Sequence, residues 1–199
     1  MKTLDRLLQR WRIAKVKPYI PKGANVLDIG CADGALFKQF ESHVSGGIGI
    51  DPCLQYSEHI GSFRLIAGKF PDDLPDTRLF NVITMLAVLE HVKSEDQPSL
   101  AKHCAQLLAP EGYLIITVPS RIVDWILHVL KFLRVIDGMS LEQHYGFDVS
   151  TTPLLFSVDG LRLVKAEKFQ LGLNNLFVFR KSQTKQSDDS TRANNRSGR

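Results

Sequence analysis

Residues 26–34 read VLDIGCADG, and residues 46–51 read GGIGID. In the first stretch a short apolar run carries an acid, Asp28, and breaks at two glycines, Gly30 and Gly34. Glycine is required where the backbone takes positive φ or where a Cβ would block a close approach. A strand that ends in such a turn and leads into a helix is the first unit of an α/β fold, in which ligands bind beyond the carboxyl ends of the strands. The second stretch repeats the plan, a short apolar strand that closes on an acid, Asp51.

The rest of the chain extends that pattern. Short β-type runs recur at 63–67 (FRLIA), 80–84 (FNVIT) and 112–118 (GYLIITV), with helical stretches expected at 34–43, 54–60, 85–93 and 98–109. The segment LAPEG, 108–112, closes the last helix with proline and glycine. Strands of four to seven apolar residues alternating with helices predict a parallel sheet covered on both faces. Two later strands, 160–170 and 174–181, are too closely spaced for a crossover and form an antiparallel pair at one sheet edge. Ahead of the first strand, residues 3–17 place Leu4, Leu7, Leu8, Trp11 and Ala14 on one helical stripe, and Pro18 stops that helix.

Bulk properties bound the possibilities. The 199 residues, 44% apolar and 23% charged, suit one globular domain with a real core. No stretch is long and apolar enough for a membrane-spanning helix, and the charged N-terminus is not a secretory signal. Cys31, Cys53 and Cys104 lack metal or disulfide spacing, which points to a reducing, cytoplasmic compartment. The net charge of +4 is uneven: residues 1–22 carry +6 and residues 182–199 carry +2, over a mildly acidic body. Two basic ends do not form the contiguous basic face that nucleic acid requires. The tail from Ser182 holds no hydrophobic side chain larger than Ala193 and is expected to be disordered.

The turn selects among cofactors. A dinucleotide fingerprint needs G-x-G-x-x-G, whereas this chain has Ala32 at the middle glycine and Ala35 at the third. Asp33 also puts negative charge where a pyrophosphate would lie, so a dehydrogenase is disfavoured. A cofactor without phosphates and with a positive centre suits Asp28 and Asp33. Asp51 is placed to accept hydrogen bonds from both ribose hydroxyls, or alternatively to cap a helix starting near Leu54.

Together VLDIGCADG, GIGID, FNVITMLAVLEHV (80–92) and LLAPEGYLIITVPS (107–120) make the chain resemble the class I S-adenosylmethionine-dependent methyltransferases, over roughly residues 10–180. It is most similar to the small-molecule group that includes quinone-pathway enzymes. The resemblance implies a Rossmann-like, doubly wound, seven-stranded sheet, mostly parallel, with the antiparallel pair at its C-terminal edge. It implies a domain over 1–181 with a helical insertion at 121–158. It further implies S-adenosylmethionine as cofactor, with Asp28, Gly30, Cys31 and Gly34 along the methionine end, Asp51 on the ribose and Leu86 beside the cofactor. Adenine is then flanked by Lys69 and Phe70, although the family's usual acid after the glycine is here Lys69; Asp72 or Asp73 could supply the missing acceptor.

Methyl transfer needs a general base only where the acceptor loses a proton, and histidine suits that role near neutral pH. His91, in VLEHV, and His144, three residues before Phe147, are the candidates, each with a packing or capping reading beside the chemical one. Some relatives carry Glu-x-x-Glu-His for magnesium on the His91 segment. Here the first acid is Ala87, so Glu90 and His91 alone are too few ligands, and no metal is expected.

Residues 122–136, IVDWILHVLKFLRVI, predict an apolar helix with one polar stripe of Asp124, His128, Lys131 and Arg134. Four roles fit it: packing in the core, capping a hydrophobic acceptor pocket, dimerising, or lying on a membrane beside the basic N-terminal helix. The expected activity is methylation, on oxygen or carbon, of a small apolar or amphiphilic acceptor. The rival of a different class is a non-catalytic module that binds a partner or membrane through helix 122–136.

Overall fold

A computed structural model describes residues 3–75, 78–120 and 148–183. The expectations for helix 122–136, for His144 and Phe147, and for the tail beyond residue 183 lie outside the described residues.

The chain runs through helix α1 (Thr3–Val16), strand β1 (Asn25–Ile29), helix α2 (Ala35–Phe40) and β2 (Gly46–Asp51). It continues through β3 (Glu58–Ile60), β4 (Phe63–Ala67), β5 (Phe80–Leu86), helix α3 (Gln97–Leu107) and β6 (Leu108–Pro119). The short helix α4 (Thr152–Leu155) precedes β7 (Leu161–Phe169) and β8 (Asn174–Lys181). These strands form one eight-stranded sheet in the order β3-β4-β2-β1-β5-β6-β8-β7. The run from β4 to β6 is parallel, and β8 lies antiparallel between β6 and β7. The α/β sheet and its antiparallel C-terminal pair are as the sequence predicts.

Both faces of the sheet are buried, which explains why the central strands are nearly continuous in apolar residues. One layer gathers Leu27, Ile48, Ile83 and Leu114 with α3. The other gathers Val26, Phe37, Val82 and Val178 with α1 and α2. The glycines of β2 serve this packing. A Cβ on Gly47 would lie 2.8 Å from the Phe37 ring, and one on Gly49 would lie 2.7 Å from the Cys31 sulfur. Only hydrogen at those positions lets α2 and the β1 turn settle directly on the strand.

The structure corrects four sequence expectations. The sheet has eight strands rather than seven, because the predicted helix 54–60 is instead β3, paired antiparallel with β4 through His59 and Arg64. Residues 55–59 are all exposed, so no apolar face is available to hold a helix there. The predicted helix 85–93 is mostly absent: β5 continues to Leu86, Ala87 takes a left-handed φ of 61°, and one 3₁₀ turn, Leu89–His91, follows. The 108–112 loop joins β6 as a bulge, with register passing from Phe80–Leu108 to Val82–Tyr113. Finally, the stripe on α1 does not face the core. Ile13 and Val16 are buried, whereas Leu7 is 61% and Trp11 48% exposed.

Candidate functional site

The carboxyl ends of β1, β2 and β5 converge on the 30–34 turn. Gly30 (φ 75°), Ala32 (φ 46°) and Gly34 (φ 69°) all take left-handed conformations, so the backbone doubles back tightly. The Gly30 amide donates to the Ile50 carbonyl at 2.8 Å, fastening the turn to β2. From the other side Val88, just past β5, leans over Gly30, and a Cβ there would lie 2.3 Å from a Val88 methyl. Gly34 precedes α2 as its N-cap. These two glycines are thus required by φ and by contact, as the motif implies.

Asp51 closes β2 and is buried. One of its carboxylate oxygens accepts from the Ala32 amide and the other from the Cys53 amide, each at 2.8 Å. The first bond locks the β1 turn to the β2 end, and the second closes the turn after β2, where no helix starts near Leu54 for Asp51 to cap. A carboxylate has about four lone-pair sites, so both oxygens retain acceptor capacity beyond these bonds.

Asp28 lies deeper, beneath the turn, and its carboxylate accepts from the Thr84 hydroxyl at 2.6 Å. Burial pushes its carboxyl up to about 7, against the lowering effect of the Thr84 bond, and the Asp51 charge adds to the rise. The buried Cys31 thiol is raised first by burial and then by the Asp28, Asp51 and Asp33 carboxylates around it. It is therefore a protonated, packed thiol and not a nucleophile. The ion pairs among described residues, Lys15–Glu167, Lys93–Glu95, Lys165–Glu167 and Arg180–Glu111, all lie elsewhere. Asp28, Asp33 and Asp51 form no carboxylate salt bridge among the described residues, the Lys38 ammonium reaching only the Asp33 backbone carbonyl at 2.6 Å, so this pole favours a positive ligand over a pyrophosphate. A sulfonium cofactor with an ammonium group fits that donor set.

At the end of β4, the Lys69 amide donates to the Asp73 carboxylate at 2.7 Å. Asp73 packs so tightly that a Cβ on Gly68 would lie 2.5 Å from its own. The Lys69 side chain is exposed, and Asp73 is committed to the loop backbone through one oxygen. Phe70 is half-buried against the core and stands edge-on to His103, with ring centroids 6.5 Å apart. Leu86 ends β5 half-buried on the α1 side of the sheet. His91 is exposed at the end of its 3₁₀ turn, next to the buried Glu90. Among the described residues no group of three His, Cys, Asp or Glu side chains is placed to hold a metal ion.

The turn, Asp51, Leu86 and the 68–73 loop therefore gather at one end of the sheet, and His91 follows on the same β5 loop. Thr84 and Val88 carry parts of this site that the sequence does not assign, and Asp73, offered there as an adenine acceptor, also accepts from the Lys69 amide. Thr84 had a signal, since it is a polar residue inside the apolar run FNVITML and pairs in register with Asp28. Val88 and the Asp73 cap had none, because each depends on a contact across the fold.

A doubly wound sheet with this turn defines a Rossmann-like fold, and the chain belongs to the methyltransferase-domain family, whose model matches residues 2–158. It is similar to a ubiquinone biosynthesis O-methyltransferase of Rhodopseudomonas palustris (strain BisB5), with 28% identity over 172 residues. That alignment covers 77% of this chain but 64% of the relative, so the chain spans less than two thirds of that enzyme's length. Among solved structures, the N-methyltransferase NodS from Bradyrhizobium japonicum WM9 shares the fold at a TM-score of 0.64 and 16% identity. The match covers 90% of this chain and 99% of NodS. The same protein in complex with S-adenosyl-L-homocysteine superposes at 0.59 with 18% identity, covering 90% and 87%.

Proposed function

We propose that this protein transfers the methyl group of S-adenosylmethionine to an oxygen of a small apolar or amphiphilic acceptor. The observation that carries the reading is the trio Asp28, Asp33 and Asp51, whose carboxylates form no salt bridge among the described residues and surround a glycine turn. When bound, the cofactor supplies an electrophilic methyl on a cationic sulfur. The chain's own residues would bind and orient it. Asp51 would take the ribose hydroxyls with its remaining lone pairs, the turn with Gly30, Cys31 and Gly34 would receive the methionine end above Asp28, and Leu86 would pack beside it. The 68–70 segment, held by Asp73, would flank adenine, with Phe70 against the ring and the Lys69 backbone at its edge.

An oxygen acceptor is favoured by the relative named for O-methylation in ubiquinone biosynthesis. Deprotonating a phenol falls to His91 or His144, and alignment of the two reactants supplies the rest of the rate. We place the domain at 1–181, with acceptor selection in the 121–158 insertion, and assign the protein to a reducing, cytoplasmic compartment, consistent with three free cysteines.

The test is incubation of the purified chain with S-adenosylmethionine and a panel of prenylated catechols and hydroquinones, with products read by mass spectrometry and NMR. A methyl ether is the expected product. A methyl on ring carbon would overturn the oxygen assignment, and cofactor binding with no transfer to any phenolic would overturn the acceptor class.

A further inference from the structure

Helix α1 leaves apolar surface uncovered where its own sequence stripe predicts burial. Ile13 and Val16 enter the core, while Leu7 and Trp11, one turn apart on the helix, stand in solvent. The β7–β8 turn adds Leu171, 95% exposed with a left-handed φ of 57°. That turn is firmly held. The Gln170 side-chain amide donates to the Leu8 carbonyl at 3.0 Å, and the Ser120 hydroxyl donates to the Gly172 carbonyl at 2.6 Å. Residues 170 and 8 therefore touch, which places the exposed Leu171 turn beside the segment of α1 that carries Leu7. This face lies at the cofactor end of the sheet: Asn174 pairs with Pro119 at the end of β6, and the Gln9 amide reaches Asp33 at 3.4 Å.

Charge indicates what covers this face. Arg6 and Arg10 are exposed beside the apolar residues, and residues 1–22 carry +6 of the chain's +4, leaving −2 for the remainder. A two-fold dimer through this face would set the exposed Arg6 and Arg10 against their own copies, which like-charge repulsion opposes. An anionic bilayer surface instead matches both features, basic side chains for lipid headgroups and a tryptophan with leucines for the interface.

We propose that the exposed face of α1 with Leu171 docks the protein on an anionic lipid bilayer, holding the cofactor end of the sheet toward the membrane. Its purpose rests on the amphiphilic-acceptor reading above. Vesicle binding is measured without cofactor or acceptor, so the two readings fail separately.

The experiment uses the full chain carrying Trp125→Phe, which leaves Trp11 as the single tryptophan. Vesicles of phosphatidylcholine are compared with vesicles containing about one third phosphatidylglycerol. Co-sedimentation with the anionic vesicles and a blue shift of Trp11 emission are expected. Arg6→Ser with Arg10→Ser should weaken anionic binding on the order of thirtyfold. Leu7→Ser, Trp11→Ser and Leu171→Ser combined should weaken it at least about tenfold with an unchanged circular dichroism melt. Equal binding to both vesicle types, no binding, an unshifted Trp11, or full binding by the triple variant would overturn the proposal. So would a solution dimer that the triple variant dissolves.

Discussion

Replacing Gly30 by alanine tests the turn where two independent demands coincide. The residue sits at φ 75°, where an alanine costs about 1–2 kcal/mol. Its new Cβ would also fall 2.3 Å from one Val88 methyl and 3.2 Å from the other, an overlap that either Val88 or the turn must relieve. Overpacking of that kind adds about 1–3 kcal/mol, so Gly30→Ala should lose roughly 2–5 kcal/mol in all. The two parts separate in a double-mutant cycle. Val88→Ala removes both methyls and leaves the Val88 Cβ at 3.3 Å, a contact that a small shift relieves. The double variant should then recover the steric share, a coupling of about 1–3 kcal/mol, while the φ cost remains. Urea unfolding followed by far-UV circular dichroism, extrapolated linearly to water, measures all four states. A Gly30→Ala cost under about 1 kcal/mol would refute the φ argument, and strict additivity with Val88→Ala would refute the contact.

The other expectations concern charge and caps. Asp28 holds its proton up to about pH 7 when folded but releases it near 3.8 when unfolded, so its contribution to stability is full below pH 4 and declines as pH rises through 7. Between pH 5 and pH 8 the decline is on the order of 3 kcal/mol, and Asp28→Asn should abolish it in urea melts compared at those two values. Thr84→Val removes the donor at 2.6 Å from Asp28 and should cost about 1–3 kcal/mol at pH 8, read in the same melts. Asp73→Ala should cost about 1 kcal/mol through loss of the Lys69 amide bond, whereas Lys69→Ala, which alters only an exposed side chain, should stay within about 0.5 kcal/mol by thermal melting.

The parallel sheet was legible because strands buried on both faces are largely apolar, and Val26–Ile29 and Phe80–Leu86 are interrupted only by Asp28, Asn81 and Thr84. The turn and Asp51 were legible because positive φ demands glycine and a strand-end acid is conspicuous. Strand β3 was not, since three largely exposed residues are held by pairing with β4 and carry no periodic signal of their own. The end of β5 was misjudged because the left-handed Ala87 breaks an otherwise helical pattern, and its amide is held by the Thr117 carbonyl of the neighbouring strand. On α1, periodicity marked an apolar stripe, but the β7–β8 turn at Leu8 sets the helix so that Ile13 and Val16 take the core instead. Val88 over Gly30 arises from strand order, which local sequence does not encode, whereas Thr84 under Asp28 was marked as a polar residue in an apolar strand although its partner depended on the β1–β5 pairing.

The most direct test of the central claim is calorimetric titration of the purified chain and its Asp51→Ala variant with S-adenosylmethionine, S-adenosylhomocysteine and NAD. Saturable binding of the first two by the unaltered chain, its loss in the variant, and no binding of NAD are expected. Binding that survives Asp51→Ala, or a preference for NAD, would contradict it.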